Sequence, residues 1–284
     1  QTEAVDEAPS PEKPSGSKHG WKAFFLLLLI ILIVVGLAAA KEMRTSKFQS
    51  REVSKYAATL NYDLQPGPSD AIRYPGAGPF DLRLGYSSLG EFLPRLIKRD
   101  YVVKSQTRFS QALMDYSDKG LFVPYAEKIQ AGLSITDCRA APLYQYKYPQ
   151  QLYASFDAIP PVVVSSLLFI ENRFLLDPRQ PHANPAGDWA RVGLAAGAQG
   201  AKLLSRLGQW EGGGTQATQL EKYRHSPDGL TVSGAEKIRQ MISATVRAYQ
   251  AGPQTLGARQ NIIRDYLYSV PLSAVPGHGE VHGM

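Results

Sequence analysis

The sequence predicts a mainly helical protein tethered by one membrane-spanning helix, with a small α+β module between the anchor and a larger C-terminal domain. Three observations carry this expectation. Ala23 to Ala40 is a run of eighteen residues without a charge, which at ~1.5 Å per residue spans roughly 27 Å of a hydrocarbon core about 30 Å thick. From Ile159 onward, apolar residues recur at helical spacing between breaks rich in glycine and proline. Ahead of them, Leu133–Asp137 and Leu143–Tyr148 alternate apolar and polar residues like two strands around a turn.

Composition bounds the rest. With 44% hydrophobic and 20% charged residues over 284 positions, the chain can bury real cores, so fibrous and wholly disordered classes are excluded. A single cysteine, Cys138, excludes an intramolecular disulfide and a cysteine-based zinc cluster. The net charge of +6 suits an anionic membrane or a phosphate ligand, and no basic run argues for nucleic acid.

In chain order, residues 1–20 hold Pro9, Pro11 and Pro14 among mixed charges and read as a disordered tail, which the resemblance given below implies is cytoplasmic. Residues 21–41 are the transmembrane helix. A signal peptide is the rival reading, and the length of the apolar run behind a charged tail favours an uncleaved anchor. Lys13, Lys18 and Lys22 precede the span while Lys41, Arg44, Lys47, Arg51 and Lys55 follow it. That count alone puts the C-terminal part in the cytoplasm, but long domains translocate largely regardless of such charges. Residues 42–70 read as a juxtamembrane helix to Leu60 and a linker around Gln65–Ser69. Residues 71–130 form the α+β module, with a helical stretch through Leu89, Phe92, Leu93, Leu96 and Ile97. Residues 131–284 form the C-terminal domain.

Three segments could carry chemistry. Pro160-Pro161 opens a helix whose stripe Val163, Leu167, Ile170 and Phe174 borders Glu171. So apolar a setting would raise a carboxylate's pKa toward proton transfer; the alternative is a solvated glutamate paired with Arg173. Glu211-Gly-Gly-Gly-Thr-Gln-Ala-Thr-Gln-Leu-Glu-Lys222 places a hydroxyl, an amide and a lysine behind glycines that admit a ligand close to the backbone, or it is a surface loop. Ser233-Gly-Ala-Glu236 is a capping box. The helix behind it is expected to bury Ala235, Ile238, Met241, Ile242 and Tyr249, leaving Lys237, Gln240, Ala244 and Arg247 on a face for a ligand or for solvent. His278 and His282 lack the spacing of a helical metal site. Tyr223-Arg-His-Ser-Pro-Asp228 is too compact for a catalytic relay.

Taken in this order, the segments resemble the peptidoglycan glycosyltransferase domain of penicillin-binding proteins, glycosyltransferase family 51. Leu167-Leu-Phe-Ile-Glu-Asn-Arg173 is similar to the approach to the family's first motif, with Glu171 on the catalytic glutamate. Gly212, Thr215, Gln219 and Lys222 match its second motif without gaps. Lys237 with Ala244 fits the third, and Arg259, Ile262, Ile263 and Tyr266 fit the fourth. There are departures. Asn172 replaces an aspartate, Leu175 a phenylalanine, Gly214 a serine, Tyr268 an asparagine, Gln240 the second glutamate and Glu236 an arginine; the first motif's histidine is absent unless His182 substitutes. The chain stops before a fifth motif, which implies a divergent branch, monofunctional or cut short.

The resemblance implies a lysozyme-like fold outside the bacterial plasma membrane. It further implies an inverting enzyme that joins lipid II into glycan strands and releases undecaprenyl pyrophosphate. Glu171 would be the catalytic base. Arg173, Gly213, Thr215, Gln219, Lys222, Lys237, Arg239 and Gln240 would bind substrate, the cations neutralising the leaving group. It leaves open a magnesium or manganese ion, for which Gln240 is a poorer ligand than glutamate, and partners among cell-wall synthesis regulators or transpeptidases. A non-catalytic lipid II-binding scaffold and a lytic transglycosylase are the alternatives.

Overall fold

The computed structural model describes residues 18–76, 78–128, 131–147, 152–187, 214–277 and 279–283. It divides into two units, 1–41 and 42–284. The first is the greater part of helix α1 (Lys18–Thr45), whose stretch from Trp21 is long and apolar enough to cross a membrane and leaves its side chains exposed. The disordered tail expected for residues 1–20 falls almost wholly outside the described residues; the helix has already begun at Lys18.

The second unit is mainly helical with two-stranded antiparallel sheets. Ser46, in the left-handed region at φ 49, separates α1 from α2 (Lys47–Thr59). The Glu42 carboxylate accepts hydrogen bonds from the backbone N–H of Phe48 and Gln49, capping α2 where its dipole is positive. Strand β1 (Tyr62–Pro66) takes in Gln65 and Pro66 of the expected linker, with residues 67–69 beyond it, and pairs with β2 (Ser105–Phe109), which follows α3 (Pro79–Arg83) and α4 (Leu89–Ile97). Helix α5 (Gln111–Asp118) completes the segment, its N-cap Ser110 accepting from Leu113 N–H. The strand pair read from alternation is present as β3 (Gly132–Thr136) and β4 (Pro142–Lys147).

Segment 71–130 is built into this unit. Ala57, Leu60, Leu113 and Tyr116 form one apolar cluster with Val246 from the C-terminal half. Helix α3 packs on α7 (Gln216–His225). There Gly78 allows an approach no larger residue permits: a Cβ on it would lie 2.3 Å from the Arg224 carbonyl oxygen.

Around α7 stand α6 (Pro161–Ile170), α8 (Gly234–Ala248) and α9 (Leu256–Ser269). Proline opens α6 and Asn172 closes it, its Oδ1 accepting from Phe174 N–H in an Asx turn. Thr215 caps α7, and Lys222, Arg224 and His225 in its last turn complement the dipole. Ser233 caps α8 by accepting from Glu236 N–H, as the sequence predicts. The buried face of α8 is not the predicted one. Ile238 and Ile242 are exposed, whereas Glu236, Gln240, Ser243, Ala244, Val246 and Ala248 are buried, because distant segments supply hydrogen bonds to the polar residues among them. Tyr249 is buried as expected. The chain ends in a hairpin of β5 (Pro271–Val275) and β6 (Gly279–His282) where helix was expected.

Candidate active site

Glu171 is the C-cap of α6 and half-buried. Beside it stand Gln219 of α7 and Tyr266 of α9. Gln219 Nε2 lies 3.4 Å from Glu171 Oε2, and the Tyr266 hydroxyl lies 3.4 Å from Glu171 Oε1 and 2.9 Å from Gln219 Oε1. A hydroxyl has one proton, and the shorter contact directs it to Gln219. Both contacts to Glu171 are long, so its lone pairs are not consumed. Burial and the Glu171 carboxylate push the Tyr266 phenol up, which keeps it a donor.

Gln219 Nε2 also donates to the Gly214 carbonyl at 3.1 Å. A Cβ on Gly214 would meet Lys237 Nζ at 3.2 Å, so the lysine reaches over from α8 to the loop before α7. Burial lowers the Lys237 pKa, and the charge of Lys222 lowers it further. Neither lysine has an acidic partner among the described residues; Lys222 Nζ lies 4.2 Å from the centre of the Tyr223 ring. Two cations without an acidic partner, near enough for one to lower the pKa of the other, could meet an anionic group.

The other expected residues that the structure describes have partners of their own. Thr215 acts as the α7 N-cap. Gly213 falls outside the described residues. Arg173 is exposed and lies over the Phe169 ring at 4.2 Å. Arg239 is two residues from Lys237, about 200° around a helix. It donates to Glu236 Oε2 at 2.8 Å and lies against Gly120. Gln240 is 0% exposed, its amide held by Ser226 Oγ and Thr231 Oγ1. The face of α8 expected to meet a ligand through Gln240 and Ala244 is thus an internal one. His182 bonds the Pro253 carbonyl at 2.8 Å. Glu236 is engaged by Ser226 and Arg239, and no group of three His, Cys, Asp or Glu side chains placed to hold a metal ion occurs among the described residues.

The structure also holds an ionic network that sequence reasoning missed. His225 of α7 lies between Asp81, 3.0 Å from Nδ1, and Glu127, 2.8 Å from Nε2. Arg224 and Arg247 meet Glu127 and Glu221 around it. Burial opposes the imidazolium, but Glu127 and Asp81 outweigh it and raise His225 to about 9. Arg259 is buried without a carboxylate on its fork; it donates to the carbonyls of Leu175, Asp177 and Gln180, pinning the segment that follows Glu171. No signal in the sequence pairs these groups, since, apart from Arg247 with Glu221 at 26 residues, their partners lie 79 to 144 residues away.

No protein-family model, curated protein or solved structure matches this chain.

Proposed function

We propose that this protein is a membrane-anchored peptidoglycan glycosyltransferase that polymerises lipid II outside the plasma membrane. The observation that carries the reading is the convergence of Glu171, Gln219 and Tyr266 beside Lys222 and Lys237, brought from four separate segments. These residues belong to the four motifs on which the family resemblance rests.

In this reaction the acceptor sugar's hydroxyl oxygen attacks the donor's anomeric carbon, and the bond from that carbon to the pyrophosphate oxygen breaks with inversion. Glu171 takes the hydroxyl proton. Gln219, oriented by Tyr266 and Gly214, stands beside the carboxylate. Lys222 and Lys237 meet the charge that develops on the departing pyrophosphate. A lysozyme-like arrangement belongs to the same proposal, and the α1 anchor would keep the enzyme at the surface where a lipid-linked donor resides.

One observation favours a second reading, in which the site binds lipid II without turning it over. Where the resemblance expects a second glutamate, Gln240 is fully buried and its amide is already bonded. Fluorescent lipid II incubated with the detergent-solubilised protein separates the readings. Glycan polymer supports the enzyme, binding with unchanged substrate supports the scaffold, and neither binding nor polymer overturns both.

A further inference from the structure

Helix α2 starts two residues after α1 ends, and it has two opposite faces. Ser50, Val53, Ala57 and Leu60 face inward, where Val53, Ala57 and Leu60 belong to the cluster with Leu113, Tyr116 and Val246. Phe48, Arg51, Glu52, Lys55 and Tyr56 recur three and four residues apart on the other side, within an arc of about 140°. All five are exposed, Phe48 at 69% and Tyr56 at 43%. A helix that buries one face in the core thus keeps two large aromatic side chains uncovered on the other.

The charges on α2 favour one sign. Lys47, Arg51 and Lys55 are set against Glu52 alone, whose Oε1 lies 3.0 Å from Lys55 Nζ and 3.5 Å from Arg51 Nε. The Arg51 and Lys55 side chains are 73% and 58% exposed, so these pairs are weak and leave both cations able to meet another anion. The place of α2 in the chain says which surface is within reach. The uncharged run ends at Ala40, so in a spanning α1 residues 41–45, about 7.5 Å of helix, occupy the headgroup layer of about 5–8 Å outside the hydrocarbon. Phe48 is then at most about 11 Å of extended chain further on.

We propose that the outward face of α2 lies on the bilayer, with Phe48 and Tyr56 in its interfacial layer and Arg51 and Lys55 against anionic phospholipid headgroups. Tyrosine and the long cations suit that layer because each joins an apolar body to a polar tip. The attraction of a basic helix to anionic lipid acts within a Debye length of about 8–10 Å, so the face has to lie close to the surface to gain from it. Because α1 tethers the chain, this second contact is intramolecular, and a small face suffices. Helix α2 then joins bilayer to core and fixes how the C-terminal unit stands on the membrane. The inference rests on α1 crossing the bilayer and not on the glycosyltransferase reading.

The test uses the full chain in vesicles of phosphatidylcholine with or without phosphatidylglycerol. Cys138 is the one cysteine, so Thr59→Cys on a Cys138→Ser background takes a single fluorescent label. Thr59 is exposed on the same face, about 17 Å along the axis from Phe48, and it meets the headgroups only if the helix lies flat. A headgroup-attached spin label is expected to quench it in the vesicles that contain phosphatidylglycerol. Arg51→Gln with Lys55→Gln should cut the quenching to the level of phosphatidylcholine alone, and Phe48→Ser should weaken it, with unchanged melting curves at these exposed positions. Glu171→Gln should change nothing, so the result does not depend on whether the chain polymerises lipid II. Quenching that survives removal of phosphatidylglycerol or of the two cations would overturn the proposal, as would an unquenched label or protein that fails to float with the vesicles after an alkaline wash. Cross-linking of the unlabelled Thr59→Cys variant to itself in place of quenching would give the face to a second copy and overturn it as well.

Discussion

Glu171 is held loosely by its neighbours, at 3.4 Å from both Gln219 and Tyr266. Glu171→Gln preserves shape and removes the acceptor, so polymerisation should fall by about 10²–10⁴-fold while lipid II binding stays within a few-fold. Retained polymerisation would end the base assignment. The lysine pair makes a second prediction. Because the Lys237 pKa is lowered, first by burial and then by Lys222, Lys237 loses its charge at a lower pH than an ordinary lysine. Pyrophosphate affinity, followed by titration across alkaline pH, should therefore fall early. Lys222→Met should weaken binding overall and move that fall to higher pH, since the repelling charge is gone. An unshifted profile would mean that the two lysines do not share the anion.

Helix α7 works at the element scale because its two faces have different duties. One presents Gln219 and Lys222 to the candidate site, and the other, with its last turn, carries Arg224 and His225 into the ionic network. Its docking against α3 depends on Gly78, where a Cβ would stand 2.3 Å from the Arg224 carbonyl oxygen and 2.5 Å from His225 Cα. Both obstacles are backbone and cannot rotate away, so Gly78→Ala should cost about 2–4 kcal/mol by forcing the helices apart. Gly257, near the start of α9, is the control: a Cβ there meets nothing within 4 Å. Gly257→Ala should be neutral or stabilise by about 0.5–1 kcal/mol. Chemical denaturation of both variants measures the contrast, and equal effects would sink the docking argument.

Over the whole molecule, the network around His225 ties segment 71–130 to the C-terminal helices, and it titrates. The folded imidazole is raised from 6.5 to about 9 despite its burial. Its stabilisation is therefore fully present below pH 6.5 and lost as pH rises through about 9, at most roughly 3 kcal/mol. Melting temperature should decline across that window, and His225→Gln, which cannot titrate, should flatten the decline; an equal slope in the variant would assign the effect to other groups. The apolar stretch of α1 supplies another prediction at this scale. A reporter fused after Met284 should register an extracytoplasmic location, against the count of flanking lysines and arginines. Activity of a cytoplasm-only reporter would remove the cell-wall reading.

What the sequence determined by itself is what near-neighbour chemistry decides. The uncharged run from Ala23 to Ala40 specifies a helix able to span a bilayer, Pro160-Pro161 starts α6, Ser233 caps α8, and alternation marks β3 and β4. Motif order brought Glu171, Gln219, Lys222 and Lys237 into view, and Tyr266 entered only as part of a motif, without a role. Tertiary structure decided the rest. A periodicity argument assigned Ile238 and Ile242 to the core of α8 and Gln240 to a face for a ligand or for solvent. In the fold, Ser226, Thr231 and the Phe122 N–H satisfy the polar face of that helix and draw it inward. The same holds for Asp81, Glu127 and His225: a charged residue reads as surface until the chain brings its counter-charge from a hundred residues away, and only then does burial cost less than exposure.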